Sequence, residues 1–596
     1  MKKSSYLQNP IGRAKTTLNG KWNYLIDLYE SGYWNYRGIP KEEMENPPLS
    51  DAYFLNAKPQ DKIDRIEFDF DLCPTMNIPG DWNSQVEKLY YYEGSIWFKK
   101  SFDYKKSKNG NRLFVHFGAA NYRTDVYVNG KKAGFHEGGF TPFYFEITDL
   151  MREKENFIIV RVDARRKKTN VPALNADWWN YGGITRDVDL IETPANYIED
   201  YRLQLKKGSN KTIAGHIKMN GDDPEGNEIK LSIPELEIEE KYKVNREGRV
   251  EFELNTHNIT FWSPENPKLY NVVLTNGDEI IEDKIGFRTI EVKGREILLN
   301  GEVQFLRGIS IHEENPMRAN RNYCKEDARV MLTWAKELGC NFVRLAHYPH
   351  NEYMVRLAEE MGFMIWDEDP VYWNILFNHP PTHERAVEMM KELVNRDKNR
   401  AGVIIWSVAN ETPVGKERNE FLVDLVKVVK SFDDTRLVSA ALEVSQVNGD
   451  PHHYTIDDPM ADVMDIVSFN QYLGWYDGTH AKCSKLKWEI KQDKPVFISE
   501  CGGGALGGYF ADENTRWSEE YQEKLYKETI KMLNKIPQFR GMSPWILADF
   551  RSPKRNLTNV QDGWNRKGVV AETGDKKKAF FVLKDFYTNK SNEFKG

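Results

Sequence analysis

From about residue 303 onward, short apolar runs alternate with amphipathic stretches, and no other feature narrows the fold of this chain so far. The runs are "VQFLRGISI" (303–311), "NFVRLAH" (341–347), "FMIWDE" (363–368) and "VIIWSVANE" (403–411). They continue as "LVSAAL" (437–442), "IVSFNQY" (466–472), "PVFISE" (495–500) and "MSPWIL" (542–547). Consecutive rather than alternating apolar residues suit strands covered on both faces, as parallel sheets require. Between them, "KEDARVMLTWAKELG" and "HERAVEMMKELVNRD" carry apolar residues at helical spacing. Eight such strands in about 300 residues predict a (β/α)₈ barrel over residues 292–596 rather than an open doubly wound sheet.

The preceding half is β-rich. "RLFVHF" (112–117), "TDVYVNG" (124–130) and "NFIIVRVDA" (156–164) place a β domain at residues 1–192, with a hairpin turn at Asn129–Gly130. "EIKLSI", "VEFEL" and "YNVVLTN" continue in strands over 193–291, a length suited to a small β-sandwich. The 83 basic and 90 acidic residues are interspersed, which argues against a nucleic-acid or anionic-membrane partner. Five cysteines without CxxC spacing give neither a disulfide framework nor a zinc site. The opening "MKKSSYLQNPIG" lacks the apolar core of a secretory signal, and no run approaches a membrane span. A cytoplasmic protein and a mature exported one both fit, and a homo-oligomer stays open.

In a barrel of this kind the chemistry sits at the carboxyl ends of the strands. Strand two ends at His347, strand three at Asp367–Glu368 and strand four at Asn410–Glu411. Strand six ends near Asn470–Tyr472, strand seven at Glu500, and strand eight carries Trp545. A carboxylate ending a buried strand is costly unless paired, protonated or exposed in a cleft. Two of them, Glu411 and Glu500, on opposite sides of one mouth suggest glycoside hydrolysis, in which one acid donates a proton and the other attacks or activates water.

The run "RDKNRAGVIIWSVANE" resembles the acid/base signature of family 2 glycoside hydrolases. "LRGISIHEE" and "NFVRLAHYPH" are similar to that family's first two barrel strands, and "PVFISECGG" to its nucleophile strand. The resemblance covers essentially the whole chain. It implies a β jelly-roll, an immunoglobulin-like sandwich and a (β/α)₈ barrel in that order. It also implies Glu411 as general acid/base, Glu500 as nucleophile of a retaining double displacement, and Asn410 on the sugar 2-hydroxyl. Tyr472 and Arg344 would orient Glu500 and keep it ionised, and no metal or cofactor is called for.

Within the family the chain most resembles bacterial β-glucuronidases. Asp177, just before "NYGGITRDVDL", matches an acid those enzymes send into the site, and "QYLGWYDG" (471–478) matches their sixth strand and loop. "WNRKG" (564–568) matches the Asn-x-Lys element that grips a uronic acid, giving Asn565 and Lys567. His347, Tyr472 and Trp545 complete the implied substrate-binding set. The expected substrate is a terminal β-linked glucuronic acid on a glycan or conjugate, cleaved from the chain end. Gln561 stands where some relatives have Arg, which leaves glucuronide against galacturonide open and the clamp one charge weaker.

Only 28 positions separate Glu368 from Arg396, so the longer loop that lids relatives favouring small conjugates has no room here. An open mouth that admits an oligosaccharide end is expected. "GGGALGG" (502–508) satisfies GxGxxG, but no helix opens at once, so a dinucleotide site is set aside. His452–His453 beside Asp450 is read as a polar loop rather than a metal site. The remaining alternatives are a galacturonidase of the same family, a neutral-sugar β-galactosidase or β-mannosidase of that family, which "WNRKG" argues against, and a binding protein on a dead hydrolase scaffold, which would have lost a carboxylate.

Overall fold

The computed structural model describes residues 6–594. The first unit is a sandwich of two antiparallel sheets. One runs, in spatial order, through Thr75–Ile78, Gly20–Asp27, Ser95–Phe102, Asn156–Asp163, Arg123–Val128 and Lys131–Glu137. The other runs through Lys15–Thr17, Val188–Thr193, Arg112–Phe117 and Phe143–Glu146. Trp22, Phe98, Phe117, Val126, Phe143 and Val160 fill the space between them. The hairpin expected at Asn129–Gly130 is present, with φ of 53° and 81°. Both turn positions are left-handed, which Asn and Gly tolerate.

A second, smaller sandwich packs Tyr197–Leu205, Thr212–Asn220 and Arg249–Asn255 against Ile238–Lys243, Glu228–Ile233, Tyr270–Asn276 and Glu279–Ile285. Its inward residues, such as Tyr201, Ile217, Leu231 and Leu274, form a separate core. A three-stranded sheet of Ile290–Lys293, Glu296–Leu299 and Glu302–Gln304 follows. It contributes Ile290, Ile297 and Leu299 to the cluster that holds Leu306, Phe342, Trp366 and Ile404 at the start of the barrel strands.

The barrel is closed. Its strands are β1 (Leu306–Ile311), β2 (Phe342–Leu345), β3 (Met364–Glu368), β4 (Val403–Asn410), β5 (Leu437–Leu442), β6 (Val467–Asn470), β7 (Val496–Glu500) and β8 (Phe539–Met542). All are parallel, and β8 returns to β1 through Leu306 opposite Gly541. Every residue of β4 is buried, since barrel interior covers one face and helices the other. The helices are α1 (Lys325–Leu338), α2 (Glu352–Glu360), α3 (Pro380–Asp397), α4 (Lys416–Phe432), α5 (Met460–Val463), α6 (Glu519–Leu533) and α7 (Lys578–Glu593). α1 buries Ala328, Met331, Leu332, Ala335 and Leu338 along one stripe and stops at Gly339, whose φ of 92° ends the helix in the left-handed region. Between β6 and β7 the crossover is a 3₁₀ turn, His480–Lys485, instead of an α-helix.

β2 and β6 stop two residues short of the sequence reading, at Leu345 and Asn470, and two other strands shift further. β1 starts at Leu306, because residues 302–304 pair in the small sheet below. β8 is Phe539–Met542, so Trp545 lies beyond its end. Pro544 has no N–H to continue the ladder, and Gly541 is needed because a Cβ there would stand 2.6 Å from the Leu306 side chain.

The first sandwich docks against the barrel mouth through Arg186. Its buried guanidinium donates to Glu313 Oε2 at 3.1 Å, to the Pro349 carbonyl at 2.6 Å and to the Phe140 carbonyl at 2.6 Å. Beside it, Phe140, Ala176 and Trp178 of the sandwich share an apolar cluster with Tyr348, Tyr372, Trp545 and Phe550 of the barrel.

Candidate active site

Glu500 ends β7 and is only 3% exposed. Both of its oxygens accept from donors: Arg344 Nη1 at 2.7 Å on Oε1, and Tyr472 Oη at 2.5 Å on Oε2. Arg344 comes from the middle of β2 and is fully buried. Its other donors reach Glu368 Oε1 at 3.0 Å and Asn410 Oδ1 at 2.7 Å, so one cation ties together the ends of β3, β4 and β7. Burial and the Tyr472–Glu500 contact push the Tyr472 phenol well above its ordinary pKa, so it stays a donor. Burial alone would raise Glu368, but Arg344 and His347 hold it at about 2. His347 Nδ1 lies 2.9 Å from Glu368 Oε1 and its Nε2 lies 3.5 Å from Glu500 Oε1. Burial pushes this imidazole down to about 4.

Glu411 sits in a different setting. It follows the last residue of β4 with a φ of 47°, which turns its side chain out of the strand register. It is half-buried, and Oε2 accepts from Trp373 Nε1 at 2.8 Å and from Asn410 Nδ2 at 3.4 Å. Asn410 is itself fixed, since its Oδ1 accepts from Asn470 Nδ2 at 3.1 Å as well as from Arg344. Burial raises Glu500 to about 7 against the pull of Arg344, and the Glu411 charge adds to the rise. The donors Arg344 and Tyr472 oppose that rise, because each stabilises the charged form of Glu500.

The third group lies beside the Tyr472 ring. Lys567 is 4% exposed, and its ammonium stands 5.6 Å from the centre of that ring. It donates to Tyr476 Oη at 2.7 Å, and among the described residues it forms no ion pair. Burial lowers its pKa. Asn565 accepts from the Lys567 backbone N–H at 3.2 Å and donates to Asp177 Oδ2 at 3.3 Å. Asp177 reaches the barrel from the first sandwich, where Ser552 Oγ at 2.6 Å and Arg555 also hold it. Trp545 stacks on His347, with ring centres 4.7 Å apart and planes inclined by 22°.

All of the sequence-read residues thus fall in one neighbourhood: Glu411, Glu500, Arg344, His347, Asn410, Tyr472 and Trp545 around the carboxylates, and Asp177, Asn565 and Lys567 beside them. Three contributors were missed as site residues. Glu368 was named only as a strand end, although "WDE" on an apolar strand signalled a buried acid. Trp373 and Arg555 lie in irregular segments and carry no spacing signal. Two carboxylates, one buried and saturated with donors and one half-buried and reachable from outside, beside an uncompensated cation, can carry out acid/base and nucleophilic chemistry on an anionic substrate.

Models of glycosyl hydrolases family 2 match three consecutive parts of the chain. The sugar binding domain matches residues 51–194, the central domain 196–288 and the TIM barrel domain 290–592. The β-glucuronidase of Streptococcus agalactiae is 27% identical, over 87% of this chain and 94% of its own. Human β-glucuronidase is 27% identical, over 99% of this chain and 93% of its own. The structure of Bifidobacterium dentium β-glucuronidase complexed with coumarin-3-O-glucuronide shares the fold, with a TM-score of 0.82, 23% identity, and coverage of 98% and 99% of the two chains. Three domain models in family order, the last spanning more than half of the residues, establish that this chain belongs to family 2 of the glycoside hydrolases.

Proposed function

We propose that this hydrolase is a retaining, exo-acting β-glucuronidase that removes terminal β-linked glucuronic acid from glycans or conjugates. The observation that carries the reading is Lys567, a buried cation that pairs with no carboxylate among the described residues and lies beside the Tyr472 ring that donates to Glu500. A buried ammonium left alone is unfavourable, and a uronic acid carboxylate would neutralise it. The names of the relatives point to the same substrate class.

In this mechanism the ionised Glu500 attacks the anomeric carbon while the glycosidic C–O bond breaks. Glu411 delivers its proton to the departing oxygen, and Arg344 and Tyr472 hold Glu500 in line. Water then attacks the glycosyl ester, Glu411 takes its proton, and Glu500 leaves as the carboxylate. Asn410, pinned by Arg344 and Asn470, is placed to donate to the 2-hydroxyl. β3 ends at Glu368 and α3 begins at Pro380, so the connection across this side of the mouth is short, in keeping with access for an oligosaccharide end.

A panel of 4-nitrophenyl β-glucuronide, galacturonide, galactoside, glucoside and mannoside should show the glucuronide cleaved fastest. Preference for any neutral glycoside would overturn the reading. Proton NMR should show the β-anomer of the released sugar first, and an initial α-anomer would replace retention by inversion. Uronic-acid-capped oligosaccharides should also be cleaved. Turnover confined to small aryl glucuronides would refute the open mouth.

A further inference from the structure

Gln561 leaves the carboxylate clamp without the arginine that the family resemblance leads one to expect at that position, and its side chain turns to its own loop, accepting from the Leu557 N–H at 3.4 Å. A cavity of about 240 Å³ lies beside it, lined by Arg516, Arg555, Arg566 and Lys567 among others. Three of these four cations are arginines, and they are differently engaged. Arg566 is neutralised by Glu572 and by Asp549 at 3.4 Å. Arg516 donates to the carbonyls of Trp475 at 2.7 Å and Gly478 at 2.6 Å and stacks on Trp475. Arg555 alone among the three contacts the groups already assigned to the sugar.

Arg555 grips Asp177 with one edge of its guanidinium, Nε to Oδ1 at 3.0 Å and Nη2 to Oδ2. A guanidinium has two such edges, and the Nη1–Nη2 edge can hold a second carboxylate in the same plane. That edge donates to no carboxylate among the described residues. The Tyr476 phenol that accepts from Lys567 also interacts with Arg555. One hydroxyl thus meets both cations, on a side chain that is 59% exposed, so solvent borders the place where a ligand carboxylate would replace it.

We propose that Arg555 is the second cation of the uronate site. The substrate carboxylate displaces the Tyr476 hydroxyl and bridges Lys567 and the free edge of Arg555, while the other edge of Arg555 keeps Asp177 in place. Arg555 thereby supplies from a different loop what Gln561 does not. This rests on the glucuronidase reading and names a specificity residue within it.

The test measures kcat and KM for 4-nitrophenyl β-glucuronide and β-glucoside in wild type, R555Q, and R555Q combined with Q561R. For R555Q the uronide KM should rise at least about 10-fold with kcat within about 3-fold, and the uronide-to-glucoside ratio of kcat/KM should fall accordingly. Adding Q561R should restore most of the ratio, because it returns a cation to the pocket without recreating the Asp177 pair. An unchanged ratio in R555Q would overturn the proposal. So would restoration by D177N but not by Q561R, which would reduce Arg555 to a counter-ion for Asp177. If R555Q fails to fold, R555K should give an intermediate uronide KM, and equal loss on both substrates would refute the assignment. A wild-type protein without uronide preference would instead remove the functional reading itself, so the two failures are distinguishable.

Discussion

The two ends of the site are built on opposite principles. Around Glu500 both oxygens already have a donor, and the charges of Arg344 and Glu368, with the His347 ring beside them, are mutually arranged without any ligand. Around Lys567 the charge is left open: among the described residues its side chain donates to the Tyr476 hydroxyl and to no carboxylate. On the proposed function, the Glu500 end is finished before substrate arrives, whereas the Lys567 end is finished by the substrate. Preorganisation serves a charge that develops in the reaction, because fixed donors need not rearrange as it forms. An open charge serves selection, because a neutral sugar leaves the penalty of the buried ammonium unrelieved.

That contrast can be broken most severely at Glu500. Glu500→Gln removes the proposed nucleophile and leaves Arg344 and Tyr472 aimed at a neutral amide, so turnover of every glycoside should fall at least about 10⁴-fold in steady-state assays. Glu411→Gln should cost about 10²–10⁴-fold for glycosides with basic leaving groups and far less for activated aryl glycosides. It also sharpens the contrast through pH. The Glu411 charge raises Glu500, so its removal should move the acid limb of kcat/KM for an activated substrate to lower pH. An acid limb that moves upward would contradict the coupling.

At the recognition end the effect is smaller and selective. Lys567→Ala strands the substrate carboxylate in a partly dry pocket, a loss of roughly 3–5 kcal/mol for one member of a buried pair. kcat/KM for the glucuronide should drop by about 100-fold or more, and the glucuronide-to-glucoside ratio with it. Parallel loss of both activities in a folded variant would show that this lysine does not read the acid. Burial lowers the Lys567 pKa, so in the wild type KM for the glucuronide should begin to rise with pH earlier than an ordinary lysine would dictate, while KM for the glucoside should not. The mildest change is Tyr472→Phe, which deletes one donor to a carboxylate, about 1.5–3 kcal/mol at most. Losing a donor to the charged form raises Glu500 further, and the acid limb should shift to higher pH.

What the sequence disclosed followed from periodicity and from strand ends. "VIIWSVANE" announced a doubly covered strand and placed an acid after it, and both Glu411 and Glu500 occupy those positions. The last strand was harder to place. Arg540 and Gly541 interrupt "FRGM", so the more apolar "MSPWIL" drew the assignment three residues too far. Trp373 and Arg555 were invisible for another reason. Neither belongs to a repeating element, and the positions of their side chains depend on the path of irregular loops, Trp373 at a φ of 53°. Their partners, Glu411 and Asp177, are 38 and 378 residues away in sequence. Local rules of spacing have nothing to say at such separations.

The distance between Asp177 and its partners also sets an order of events during synthesis. Ser552, Arg555 and Asn565 follow it by 375, 378 and 388 residues. At about 5–20 residues per second, a ribosome needs roughly 20–75 s to supply them. For that interval the first sandwich can fold around its own core while its contribution to the pocket waits for the end of the chain. Glu411 and Glu500 emerge earlier, yet the proposed sugar-binding wall is complete only when the final loops have been made. A chain that stops before Ser552 holds both carboxylates without the loops that fix Asp177 beside them.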